Sequence, residues 1–323
     1  MDRRIGERQR WAWLAAGLSA AIAAKGCGFG WVWVAAAGLL VTGYYIYMDI
    51  KLQSLGVVAF LPRPLAISAL LWLILLMAWT ADLANGAFPM VRGYPVLGWT
   101  ILALAAWGAR KGVAACARCA GVLCLFLAVL YGIIAVFAMP DVQIQYLLPA
   151  GNWQEGWMAV GLFLLPAAVW YLPCTRSKKR PAWQMALLIP LVSALLAAVT
   201  AGVLSPTLAR ELPSSLYVLA QSVSLFGVVE RIEPLLSAAM TMGVFCLVSV
   251  MACACMRLWG KVPLRKWSGV ICCAAAAIIM KWVRNTDLMI VAVGNVIFGM
   301  LLPLTALWIG KGRKKRQEMV SGD

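Results

Sequence analysis

Residues 156–173 read GWMAVGLFLLPAAVWYLP. The stretch carries no charge and is apolar enough to enter a membrane, yet it holds Gly156, Gly161, Pro166 and Pro173. A proline inside a helix removes a backbone hydrogen bond and crowds the carbonyl one turn earlier. Lipid offers no replacement partner, so any freed backbone group must be met inside the protein. The stretch therefore reads as a membrane segment with a break in it, and the rest of the chain decides what that break is for.

The surroundings are a membrane protein. Of 323 residues, 63% are hydrophobic and 12% charged, where a soluble domain carries roughly 25% charged residues. Ten apolar segments are expected at about 11–24, 31–48, 65–84, 94–109, 117–139, 156–173, 183–203, 234–258, 267–283 and 287–309. The segments do not alternate in the way that β-barrel strands do. The fold class is an all-α polytopic membrane protein, with residues 1–323 as a single membrane domain and 310–323 as a basic cytoplasmic tail. With the N-terminus in the cytoplasm, 22 of the 28 Lys and Arg residues fall on the inner side and six on the outer. That asymmetry is the positive-inside pattern and places both termini in the cytoplasm. Trp11, Trp13, Trp183, Trp259, Trp267 and Trp308 are expected at the inner boundary; Trp31, Trp33, Trp153, Trp157 and Trp282 are expected at the outer one. The net charge of +16 sits in short clusters between apolar runs, with no basic soluble face for nucleic acid.

Ten helices divide into two sets of five, about 11–139 and 156–309. An odd number per set makes the two sets inverted relative to each other, as in many secondary transporters. The segments that open the sets are 11–24 and 156–173. The first runs into AAKGCGFGW, with Gly26, Gly28 and Gly30; a secretory signal is the alternative pattern for this arginine-led start. Paired short or interrupted helices at matching positions point to a central binding site. In that reading Gly26, Gly28, Gly161 and Pro166 mark the breaks. The other reading of Gly26–Gly30 is a tight outer turn.

A second stretch, FGVVERIEPLL at 226–236, places Glu230, Arg231 and Glu233 before a long apolar run. A helix starting near Pro234 would put the glutamates at its N-terminal end, where the helix dipole favours negative charge. They read either as interfacial charge at a helix start or as a carboxylate pair at an outer vestibule. Asp82 and Asn85 close the third segment on the outer side, and KWVRNTD at 281–287 forms an outer turn able to pair internally. The chain has no histidine, no GxxxxGK[ST] loop and no dinucleotide loop in a strand–helix setting, so no enzyme, cofactor or metal is expected. Cys116 and Cys119 form a lone CxxC, short of the four ligands a structural zinc site takes.

Three stretches resemble one family. WGARKGVAACARCAGVL (107–123), with Lys111, Gly112 and Arg118, looks like the inner connection between the fourth and fifth helices of spore germination permeases. IQYLLPAGN (144–152) is similar to that family's outer loop before the sixth helix. VERIEPLLSAAMTMGVFCLVSVMACACM (229–256), opening on Arg231, Ile232 and Glu233, is similar to its eighth helix. The resemblance implies a divergent, shortened member of the amino acid–polyamine–organocation superfamily with an inverted five-plus-five fold. It implies the B subunit (GerAB type) of a germinant receptor in the spore inner membrane, working beside an A subunit and a lipoprotein C subunit. A small nutrient such as an amino acid would bind among the first, third, sixth and eighth helices. Asp82 and Asn85 would be polar wall groups there, and Arg231 and Glu233 would shape the outer entrance. An amino-acid transporter of the same fold and a purely structural membrane subunit are the alternatives.

Overall fold

The computed structural model describes residues 5–52, 57–86, 96–147, 152–175, 183–212, 214–222, 233–259, 267–284 and 286–309. Each expected apolar segment coincides with a helical element. The first five are α1 (Glu7–Ala24), α2 (Trp31–Leu52), α3 (Arg63–Gly86), α4 (Val96–Lys111) and α5 (Val113–Ala138). The sixth segment is α6 (Trp153–Phe163) followed by a 3₁₀ helix, Leu165–Tyr171. Then come α7 (Trp183–Leu204), the short α8 (Pro206–Glu211) and α9 (Ser215–Ser222), α10 (Glu233–Leu258), α11 (Ser268–Val283) and α12 (Leu288–Asn295). The last helix widens into a π segment, Val296–Leu301, and continues to Ile309. The pair β1 (Ile5–Gly6) and β2 (Cys174–Thr175) is a parallel match of two residues each.

Among the described residues, six helices are long and apolar enough to cross a membrane: Trp31–Leu52, Arg63–Asn85, Val113–Asp141, Leu187–Leu204, Pro234–Leu258 and Leu288–Ile309. Their outward faces are greasy. Val122, Leu125 and Val136 on α5 and Leu188 and Leu191 on α7 are all exposed. A water-soluble monomer rarely leaves so much apolar surface uncovered. This is an all-helical protein built for a bilayer.

One helix organises the rest. The most apolar window of α10 is 78% buried, against 33% for α5. Its neighbours are α1, α3, α4, α5, α9, α11 and the 3₁₀ helix of segment six. α1 lies against α10 and α5, while α2 packs on α6 and α7, α11 on α3 and α4, and α12 on α6. The packing of α1 on α10 depends on small residues, which let two backbones approach where lipid provides no hydrophobic drive. A Cβ on Gly243 would stand 2.4 Å from the Ala20 Cβ and 3.1 Å from the Ala16 carbonyl oxygen.

Two sequence expectations need correcting. α1 begins at Glu7 rather than near residue 11, and it runs unbroken to Ala24. The added turn carries Glu7 and Arg10 into buried positions. Arg10 is tolerated there because its Nη1 donates to Asp49 Oδ1 on α2 at 2.8 Å. Its guanidinium also lies 5.0 Å from the centre of the Trp170 ring. Trp11 and Trp13 do not face outward as belt residues would; they are 1% and 0% exposed. Trp13 Nε1 donates to the Cys246 carbonyl at 2.9 Å, so its polar edge is met inside the bundle. Of the other tryptophans expected at the boundaries, Trp153, Trp157, Trp267, Trp282 and Trp308 are exposed and Trp31, Trp33 and Trp259 are half-buried.

The α4–α5 corner turns on one residue. Gly112 has φ 106° and ψ 157°, a conformation that only glycine adopts without strain. The Lys111–Gly112 pair noted in the sequence is thus the place where the chain reverses between two helices.

Candidate functional site

The break expected in segment six is present. α6 stops at Phe163; Leu164 caps it at φ −85°, ψ −7°, and Pro166 sits in the first turn of the 3₁₀ helix that follows. The change from four-residue to three-residue hydrogen bonding leaves carbonyls without their usual partners. Tyr45 on α2 meets one of them: its hydroxyl donates to the Phe163 carbonyl at 2.6 Å. Asn295 meets another, with Nδ2 donating to the Gly161 carbonyl at 2.9 Å.

Asn295 is also the last residue of α12 before the π segment, so two helix irregularities face each other. π segments free carbonyls too, and they recur at functional sites. Here Tyr44 donates to the Gly299 carbonyl at 2.8 Å and Tyr171 to the Phe298 carbonyl at 2.9 Å. Trp72 on α3 donates through Nε1 to Asn295 Oδ1 at 3.3 Å and stacks on Phe298, with ring centres 5.4 Å apart. The result is a buried polar seam through α2, α3, segment six and the last helix. Its close packing comes from glycine. A Cβ on Gly161 would stand 2.3 Å from the Ala292 Cβ and 2.4 Å from its Cα.

Gly26 and Gly28 do not join this seam. They form a 3₁₀ turn, Gly26–Gly28, after the end of α1, so of the two readings of the glycines the tight turn holds. α1 has no interior break because its glycine-rich stretch follows the last helical turn rather than interrupting it. A Cβ on Gly28 would meet the Ala209 carbonyl oxygen at 2.7 Å, which explains glycine there as close backbone approach to α8. Beside it, Glu155 in the first turn of α6 holds two partners. Oε1 pairs with Arg210 Nε at 2.9 Å and Oε2 accepts the Gly30 N–H at 2.9 Å. One carboxylate thus ties the α1–α2 turn, the start of segment six and α8 together. Ser205, which caps α8, holds φ 72°, a region side-chain-bearing residues rarely occupy.

Asp82 and Asn85 form a third neighbourhood. Asn85 Nδ2 donates to Asp82 Oδ1 at 2.8 Å, and Asn85 Oδ1 accepts the Gly98 N–H at 3.1 Å. Asn85 therefore satisfies a donor in the first turn of α4, where helix N–H groups lack partners. Asp82 lines a cleft with residues of α4 and α11. The expected pairing within 281–287 is not made among the described residues: Asp287 instead accepts the Met289 N–H at 3.1 Å and caps α12. Glu230 and Arg231 lie outside the described residues. Glu233 opens α10, and its side chain lies outside them too.

The expected site residues thus fall in three neighbourhoods. Gly161 and Pro166 belong to the seam, Gly26 and Gly28 to the turn after α1, and Asp82 and Asn85 to the α3–α4 corner. Tyr44, Tyr45, Tyr171, Asn295 and Glu155 are the residues that sequence reading passed over. Asn295 had a signal: an amide within the apolar run VAVGNVIFGM. Tyrosines in apolar helices carry no such mark, since a ring suits a core or a boundary equally. Among the described residues, no group of three acidic, cysteine or histidine side chains could hold a metal ion. The chain matches no protein-family model and no curated protein sequence.

Proposed function

We propose that this chain is a permease-like B subunit of a spore germinant receptor, an integral protein of the spore inner membrane. In this reading ten helices form an inverted five-plus-five bundle with both termini in the cytoplasm. It binds a small nutrient such as an amino acid and passes the signal to A and C subunits. The observation that carries the reading is the break in segment six packed against the π segment of the last helix. Discontinuous helices at the repeat interface are how such folds make binding sites. The carbonyls of Phe163, Gly161, Phe298 and Gly299 each accept a hydrogen bond from a side chain of another element. A polar ligand able to take over some of these bonds would favour a different packing of segment six and so shift a conformational balance.

The continuous α1, wedged against Gly243 of α10, supports sensing over transport. A transporter rocks one repeat against the other around paired breaks, and here only one of the pair is broken. The same observation favours a second reading, a structural membrane subunit that does not sense.

The test is to purify the full chain, measure amino-acid binding by tryptophan fluorescence, measure uptake of labelled amino acids into proteoliposomes, and assay capture of A- and C-type subunits. Binding and capture without uptake is the expected result. Saturable uptake would replace the receptor with a transporter, and capture without binding would leave the structural subunit. Failure of both binding and capture would overturn the proposal. Tyr45→Phe, which removes the donor to Phe163, should alter the binding curve while leaving capture intact.

A further inference from the structure

The cleft at the α3–α4–α11 corner has a composition of its own. Its volume is about 580 Å³, and its lining includes Asp82, Trp99, Ile278, Met280, Lys281 and Arg284. Three helix ends meet there: the last turns of α3 and α11 and the first turn of α4. Gly98 fixes the meeting, since a Cβ on it would lie 2.7 Å from Met280 Sδ and 3.2 Å from Asn85 Nδ2. The walls beyond the charges face outward and are apolar. Trp99 is 50% exposed, Ile278 67% and the neighbouring Trp282 74%. Two cations and one carboxylate therefore sit at the end of helices whose flanks are made for acyl chains.

Among the described residues, Lys281 and Arg284 make no ion pair with Asp82. Asp82 has one oxygen engaged by Asn85, and a carboxylate accepts several hydrogen bonds. The charges are thus arranged for a guest carrying both signs. A phosphodiester suits the paired lysine and arginine, which supply N–H donors and positive charge to its oxygens. An ammonium with N–H donors suits the carboxylate.

We propose that this cleft is a binding site for a phospholipid whose headgroup carries a phosphate and a primary ammonium. Lys281 and Arg284 hold the phosphate, Asp82 accepts from the ammonium, and Trp99 and Ile278 border the acyl chains. The site is separate from the seam in segment six, and it gives Asp82, a nutrient-pocket wall group in the family resemblance, to a lipid headgroup instead. It also explains why the outer turn 281–287 keeps two cations whose neighbouring Asp287 is spent on capping α12.

The experiment is lipid retention by the full chain, purified in detergent and read by native mass spectrometry after exchange into mixed lipids. The probes are phosphatidylethanolamine, phosphatidylcholine and glycine as a soluble zwitterion. Phosphatidylcholine has the same phosphate but no N–H donor. The expected result is preference for phosphatidylethanolamine over phosphatidylcholine by about tenfold, the ratio one charge-assisted hydrogen bond supports. Lys281→Gln with Arg284→Gln should lose retention of both lipids. Asp82→Asn keeps the acceptor for Asn85 and should erase the preference while leaving both lipids retained. Equal retention by the natural protein, or a preference that survives Asp82→Asn, overturns the proposal. Displacement of the lipid by millimolar glycine also overturns it and assigns the cleft to a free amino acid. Both variants are read only beside an unchanged elution profile; if the double variant is misfolded, Asp82→Asn alone decides.

Discussion

Replacing Gly161 by alanine tests whether the seam between segment six and the last helix is as tight as its geometry implies. The new Cβ would stand 2.3 Å from the Ala292 Cβ and 2.4 Å from its Cα. Reaching ordinary van der Waals separation requires the two helices to part by about 1–1.7 Å. Neither neighbour is the end of a flexible side chain, so the backbone itself must move. Overpacking of this kind costs roughly 1–3 kcal/mol. The same displacement stretches the 2.9 Å bond from Asn295 to the Gly161 carbonyl beyond hydrogen-bond range. A hydrogen bond between membrane helices is worth about 0.6 kcal/mol on average and at most about 1.7 kcal/mol. The sum is about 2–5 kcal/mol. At roughly 2 °C per kcal/mol for a chain of this size, the thermal midpoint should fall by about 4–10 °C. Tryptophan fluorescence during thermal unfolding in detergent measures it. Ala292→Gly in the Gly161→Ala background should recover part of the loss, because it removes the methyl group that the new Cβ strikes but leaves the backbone carbon behind it in place. A midpoint within about 1 °C of the natural protein would refute the close approach. Complete recovery with Ala292→Gly would place the collision on the side chain alone.

Two further substitutions separate other causes. Gly112→Ala meets no atom within 4 Å, so its whole cost is backbone strain at φ 106°; a loss of about 1–3 kcal/mol is expected in the same unfolding assay, and a neutral result would remove the strained corner. Asp49→Asn removes the carboxylate charge facing the buried Arg10 and should cost about 3 kcal/mol, whereas Glu155→Gln, whose partner Arg210 is about a third exposed, should cost no more than about 1 kcal/mol. Equal losses in those two variants would mean that burial does not separate the two ion pairs.

What was legible in the sequence was what depends on local composition. Apolar runs flanked by charge predicted a helical element at each of the ten apolar segments, though not the short α8 and α9 or the early start of α1, because a backbone in lipid has to be helical and the solvent boundary is written in Lys and Arg. The proline in segment six was legible as a break for the same reason: it acts on its own turn. The glycines at 26–30 could not be resolved between break and turn from composition, because glycine permits both. Only the fold decided, by ending α1 at Ala24 and seating Gly28 against Ala209.

The partners across the bundle were beyond the reach of sequence. Nothing local joins Tyr45 to Phe163, Asn295 to Gly161, or Arg10 to Asp49 and Trp170; each pair is brought together by helices packing in three dimensions. The sequence determined that this chain is a helical membrane protein with an interrupted sixth segment. Tertiary structure alone decided which side chains took up the freed carbonyls. Hydrogen bonding within a helix is set by neighbours in the chain, while the repair of a broken one is set by whatever packs against it.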